Sequence, residues 1–251
     1  MVVKNFRQQS LLFDMEYLLA SFLVMIGAVV QTAFGFGMAV VAAPLLIMIE
    51  PRLVPGPMVV AALVQCVLMM LQNRRELDIK GLSSAFIGRI PGSIAGVYLL
   101  TLFSTQMLSI AVGGIVLLAV ALSLSKLTIR PTPKTMFWAS MASGVCGSAT
   151  SIGGPPMALL MQHEQATRIR ANLAGYFIYG CCISLIALVM VGRFGAEELK
   201  MSLWLIPGSL LGFYLCRWIP LYRIESQMRP AILGICILCG LFAITRGILG
   251  S

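Results

Sequence analysis

Charge is what this chain has least of. Asp, Glu, Lys and Arg make up 11% of its 251 residues, where a soluble globular protein carries about 25%. Histidine occurs once, as His163 at a segment edge. No apolar segment holds two carboxylates, and Glu50, Glu164, Glu197 and Glu198 all stand at segment ends. There is no metal-ligand spacing and no phosphate-binding fingerprint. These absences argue against an enzyme working within the bilayer, which needs a nucleophile–base or acidic pair, and against a carboxylate proton relay through the spans. No cofactor is expected. The seven cysteines, an odd number, sit mostly in apolar runs and do not read as a disulfide framework. Cys236 and Cys239 form a CxxC inside ILGICILCGLFAI. There they read as small apolar residues on one helix face rather than a redox or metal pair.

What is present is apolar. Hydrophobic residues are 59% of the chain and the mean hydropathy is +0.95. The charge-free runs Leu53–Asn73, Thr105–Ser125 and Ala171–Gly192 have the roughly 17–25-residue length of a bilayer span. A polytopic membrane protein without a large soluble domain is expected. Lys4 and Arg7 precede an apolar segment that runs past Gly35 without a small-residue cleavage site, so it reads as a retained first helix. The net charge of +9 comes from basic residues clustered in short loops, where they set orientation. Nucleic acid is not an expected partner.

The strongest pattern is a repeat. Residues 89–100 read RIPGSIAGVYLL and residues 205–216 read LIPGSLLGFYLC, a shift of 116. The same shift places Ala33 on Ala149, Gly37 on Gly153, Met25 on Met141 and Arg52 on Arg168. The chain therefore divides into an N-terminal half, 1–125, and a C-terminal half, 135–251. The polar stretch 126–134, with Pro131 and Pro133, links them. Such halves in membrane proteins commonly hold a transport site between them.

Five apolar segments fall in each half. The first two are unusual: no charge occurs between Glu16 and Glu50, nor between Lys134 and His163. The first run is too long for one span, about 50 Å as a single helix, and too short for two spans and a turn. Each is interrupted midway, by QTAFGFG at 31–37 and GSATSIGGPP at 147–156. A hairpin with its elbow at membrane depth fits best, and non-helical backbone there must line a cavity or be buried in protein. The expected fold is thus an all-α polytopic membrane protein of two inverted-topology repeats, each a broken-helix hairpin followed by three transmembrane helices. On that topology Lys4, Arg7, Arg52, Arg193, Lys200 and Arg246 share one face. The other face holds the remaining Lys and Arg except Arg89. The excess makes the second face cytoplasmic and both termini extracytoplasmic.

Candidate site residues cluster at the two elbows. Glycine lets the chain turn sharply and lets an anion approach the backbone. A helix N-terminus adds free N–H groups and partial positive charge. The first elbow offers Gln31, Thr32, Gly35, Phe36 and Gly37. The second offers Ser148, Thr150, Ser151, Gly153 and Gly154. Arg89 is the basic residue inside a span, a functional candidate unless it snorkels to the interface. Asn172, Tyr176 and Gln65 are polar groups within spans. They either face the cavity or hydrogen-bond between helices. Tyr98 and Tyr214 read equally as interfacial anchors or ligands.

With its paired elbows and two PGSxxG stretches, the sequence resembles the TauE/SafE family of sulfite exporters and toluene-sulfonate-uptake permeases. The matching positions are Gln31, Gly35, Gly37 and Pro44, then Gly144, Gly147, Gly153, Gly154 and Pro155. The resemblance implies a multi-pass permease of the bacterial inner membrane for sulfur-containing anions: sulfite, sulfonates, sulfoacetate or thiosulfate. One departure is Ser151, which stands where the first half has Gly35. Expected partners are the lipid bilayer and a small anionic substrate. A proton or sodium coupling ion and a second copy in a homodimer stay open. An anion channel and a non-transporting membrane assembly protein are the alternative functions.

Overall fold

The computed structural model describes the backbone of residues 2–125, 129–218 and 221–249. It describes their side chains except for 2–14, 221–232 and 235. Lys4, Arg7, Lys126, Arg223 and Arg229, which entered the charge reading, lie outside the described side chains. Among the described residues the fold is all helix. In chain order the helices are α1 Val2–Phe34, α2 Met38–Ile49, α3 Gly56–Asn73, α4 Ser83–Leu102 and α5 Thr105–Leu124. They continue as α6 Pro133–Thr150, α7 Gly154–Met161, α8 Ala166–Met190, α9 Ala196–Trp218 and α10 Leu221–Leu249. Among the described residues six segments are long and apolar enough to cross a membrane: one each in α1, α4, α5, α8 and α9, and one that extends α3 at both ends, Pro51–Glu76.

Local chemistry sets the ends. Thr132 caps α6 in a reciprocal capping box with Thr135, and Pro133 occupies the first turn, where its missing N–H has no helical partner to lose. The Ser104 hydroxyl accepts from the Met107 N–H at the start of α5. The elbows end α1 and α6 in the same way. Gly35 turns left-handed at φ 87° and Ser151 at φ 65°. The Gly35 N–H donates to the Gln31 carbonyl and the Ser151 N–H to the Gly147 carbonyl, both at 2.8 Å. These two bonds are 116 residues apart. So are the ends of α1 and α6, the starts of α2 and α7, the ends of α4 and α9, and the starts of α5 and α10.

Ser151 is the one non-glycine residue at positive φ among the described residues. Its side chain is held by a 3.1 Å bond from its hydroxyl to the Pro55 carbonyl. A β-branched residue in this conformation is strained by about 1–2 kcal/mol or more. Ser151→Val is therefore expected to lower the melting temperature in detergent, whereas Ser151→Gly, which relieves the Cβ, stays close to wild type.

The helices after the two elbows, α2 and α7, are short. At about 1.5 Å per residue, α2 and α7 run only ~18 and ~12 Å, against a hydrocarbon thickness of about 30 Å. The long helices pack reciprocally: α4 lies on α6, α9 on α1, α3 on α8 and α5 on α10. Small residues make the first two contacts. A Cβ added at Gly88, Gly92 or Gly96 would strike the carbonyl oxygen of Phe137, Met141 or Val145 on α6. One added at Gly208 or Gly212 would strike that of Ser21 or Met25 on α1. Glycine brings helix backbones together where lipid offers no hydrophobic drive for association. Large apolar side chains such as Phe22, Ile94, Trp138 and Leu211 point outward, as a lipid-facing surface requires. Tyr98 and Tyr214 stand there too, more than half and half exposed respectively.

Charged side chains pair near the helix ends. Arg52 pairs with Glu198 at 2.9 Å and Lys200 with Glu197 at 3.0 Å. Arg246 donates to the Met48 carbonyl at 3.0 Å. Asp78, beyond the far end of α3, pairs instead with Arg168 at 3.0 Å.

Candidate functional site

The two elbows line one cavity of about 50 Å³. Gln31, Phe36 and Gly37 come from the first; Gly147, Ser151, Gly153 and Gly154 come from the second. Arg89 of α4 forms part of the wall, with Cys66 of α3 and Cys181 and Ser184 of α8.

Arg89 does not snorkel. Its side chain turns inward and the residue is 3% exposed. Nη1 donates to the Ser143 carbonyl at 2.9 Å, to the Ser143 hydroxyl at 3.0 Å and to the Tyr176 hydroxyl at 3.4 Å. The Ser143 hydroxyl in turn donates to the Gly153 carbonyl at 2.5 Å, which ties the guanidinium to the second elbow. Three glycines make room for it. A Cβ at Gly180 would lie 2.5 Å from Nε, one at Gly147 2.9 Å from Nη2, and one at Gly153 3.1 Å from Nη1. The Tyr176 ring lies 5.5 Å from the guanidinium carbon, close enough for a cation–π contact.

Among the described residues nothing neutralises the charge of Arg89: no carboxylate pairs with it, and its buried Nε has no hydrogen-bond partner. A buried unpaired charge costs several kcal/mol, and intramembrane charge persists where it faces a cavity or pathway. The arrangement is an electropositive pocket with donors to spare. It suits a small anion. No group of three or more His, Cys, Asp or Glu that could hold a metal occurs among the described residues.

The helix N-termini contribute less than their glycines suggest. The Met38 N–H, first in α2, is taken by Gln31 Oε1 at 3.3 Å, while Gln31 Nε2 donates to Cys66 Sγ at 3.3 Å. In α7, Pro155 and Pro156 follow Gly154, so two of the four first-turn positions carry no N–H. The dipole remains at both ends, but the full charge belongs to Arg89.

Several sequence candidates are placed off the cavity wall. The Thr32 hydroxyl donates to the Ala28 carbonyl at 2.7 Å and accepts from Gln65 Nε2 at 2.5 Å. Gln65 also accepts from the Ser209 hydroxyl at 3.0 Å, so it locks α1, α3 and α9 together. Thr150 bonds back to the Cys146 carbonyl at 2.8 Å. Ser148 pairs with Ser184 at 2.7 Å and supports the wall from behind. Gly35 faces Leu173 and Arg170. Tyr176 reaches the site through Arg89. Asn172 is not brought to it: its Oδ1 accepts from the Asp78 N–H at 2.9 Å and its Nδ2 donates to Glu164 at 3.2 Å. There, at the helix ends, the Gly81 N–H and the Arg168 guanidinium hold the Asp78 carboxyl below its ordinary pKa.

Sequence reasoning missed Ser143, Gly180, Cys66, Cys181 and Ser184 as parts of this site. Ser143 carried a usable signal, since the repeat shift aligns it with Gly27, a hydroxyl appearing where the first half has none.

Among the described residues, six long apolar segments and two helix breaks that line a cavity beside Arg89 define a multi-pass α-helical membrane protein. The family model described as "Sulfite exporter TauE/SafE" matches residues 19–243, and the chain belongs to that family. No curated protein and no solved structure matches it.

Proposed function

We propose that this protein is a secondary transporter of small sulfur-containing oxyanions or sulfonates, working by alternating access around the cavity between the elbows. One observation carries the reading: Arg89, buried and with no counter-charge among the described residues, faces a space lined by both elbows. Arg89 supplies the charge and hydrogen-bond donors. Ser143 and Tyr176 orient it, and Gly37, Gly147, Gly153 and Gly154 leave the space. A planar guanidinium matches two oxygens of an oxyanion better than a point charge does. The family, whose printed description is a sulfite exporter, supports the substrate class.

The same reading takes the two halves as inverted repeats. The coinciding helix ends and the reciprocal packing of α4 on α6 and α9 on α1 support it. Each half then holds an odd number of crossings, and both termini face away from the cytoplasm. Rocking of one bundle against the other would open the cavity to each side in turn.

The test is uptake of labelled sulfite, sulfoacetate and taurine into proteoliposomes, with and without imposed proton and sodium gradients. Saturable flux is expected for at least one of them. Flux that never saturates and follows no coupling gradient would indicate a channel. No flux above empty vesicles would indicate an assembly role. Gly153→Leu should abolish uptake, because its Cβ alone would fall 2.7 Å from the Ser143 carbonyl oxygen and 3.1 Å from Arg89 Nη1. If that variant inserts normally and transports at the wild-type rate, the site lies elsewhere.

A further inference from the structure

We propose that the Phe36 ring closes the Arg89 cavity and sets the size of the anion it admits. The proposal rests on the reading of that cavity as an anion site and adds the residue that selects by size. Phe36 lines the Arg89 cavity. It also lines an apolar cavity of about 200 Å³ walled by Val30, Phe34, Val41 and Val120. It lines a third of about 120 Å³ beside Leu122, Pro155 and Gln162. Among the described residues it alone borders all three, with Gly37 and Val40 beside it between the first two and Ser123 between the apolar cavity and the third.

Its surroundings suit a movable partition. The ring rests on the backbone of the second elbow: a Cβ added at Gly154 would lie 2.7 Å from its Cδ2. On either side stand Gly35 at φ 87° and Gly37 at φ 120°, which carry no side chains to obstruct a swing of the ring or of its backbone. Phe36 packs only partly buried against the cluster that contains Met157 and Tyr176, so first-half and second-half elements meet at this ring.

Volume converts the partition into selectivity. One water needs about 10–15 Å³ of such space, so a cavity of about 50 Å³ holds a few water-sized groups. An oxyanion headgroup fits and an aromatic tail does not. With the ring withdrawn, the apolar cavity becomes continuous with Arg89 and a tail has somewhere to lie.

Cys66 and Cys181 both line the Arg89 cavity and are buried, which makes them reporters of access that do not depend on transport. The purified full-length protein is treated with iodoacetamide, and alkylation at each of the two cysteines is followed by peptide mass spectrometry. Methanesulfonate and benzenesulfonate serve as the small and the large anion, both unreactive toward the reagent. In the wild type, labelling is expected to be slow, slowed further by methanesulfonate and unaffected by benzenesulfonate. Phe36→Ala should accelerate labelling at least about tenfold, a one-decade shift in the open population, and both anions should then protect. Phe36→Leu carries the same test, with a smaller effect, if the alanine variant does not fold. Unchanged labelling in a folded variant overturns the proposal, as does equal protection of the wild type by both anions. Acceleration without protection by either anion also overturns the size role and separately refutes Arg89 as an anion ligand.

Discussion

Arg89→Met is expected to abolish anion transport while leaving the protein as stable as wild type, or more so. The two effects share one cause. Truncating one partner of a buried, charge-assisted contact removes about 2–5 kcal/mol of binding, a loss of at least ~30-fold in affinity. Without substrate, however, the same guanidinium is a buried charge with no carboxylate paired to it among the described residues and an unsatisfied Nε. Replacing buried charge with a well-packed apolar side chain is commonly neutral or stabilising by about 1–4 kcal/mol. An arginine that serves only to tie α4 to Ser143 and Tyr176 would leave the wild type as unresponsive to the anion as the variant. Thermal melting in detergent, with and without methanesulfonate, separates the two. Wild type should gain stability with the anion, because binding to the folded state alone shifts the unfolding equilibrium. The variant should start at least as high and gain nothing. Arg89→Lys keeps the charge but loses the planar fork, so it should transport weakly and respond weakly to the anion.

Gly92→Ala and Gly208→Ala should each destabilise the bundle strongly, and by similar amounts. At Gly92 the added methyl would occupy the place of the Met141 carbonyl oxygen, and at Gly208 that of the Ser21 carbonyl oxygen. Both obstacles are helix backbone, which cannot rotate away as a side chain can. Helices α4 and α6, or α9 and α1, must separate instead, and the van der Waals packing that holds them in lipid falls with distance. Overpacking of this kind costs about 1–3 kcal/mol and sometimes more. Gly114→Ala is the control. It is also a glycine within a helix, but a Cβ there meets nothing within 4 Å. That substitution should raise stability by up to about 1 kcal/mol through helix propensity. Size-exclusion monodispersity and melting temperature of the three variants check the comparison. Equal gains at all three positions would mean that glycine acts through propensity alone and not through close helix approach.

Much of the architecture was legible without coordinates. The scarcity of charge marked the membrane, and charge-free lengths that match neither one span nor two marked the broken hairpins. Glycine and proline marked where those hairpins bend. Ser151 departs from Gly35 in the repeat, and its left-handed φ shows the same backbone demand met by a serine tied to Pro55. The polar residues were harder to place. Thr32, Thr150, Asn172 and Gln65 are chemically suited to a ligand, yet each is occupied by another partner. Side-chain type records what a residue can bond, not which of its neighbours the fold brings within 3 Å.

The division for this protein follows from range. Hydropathy, helix ends and the 116-residue repeat depend on residues near one another in the chain or on a comparison of its halves, so the sequence alone determined them. The site depends on where α4, α6, α7 and α8 meet. Arg89 lies near enough to a segment end that its long side chain could have reached water, and only the packed bundle turned it inward. It did so because Gly147 and Gly153 of the second elbow and Gly180 of α8 together leave a space in which the guanidinium fits.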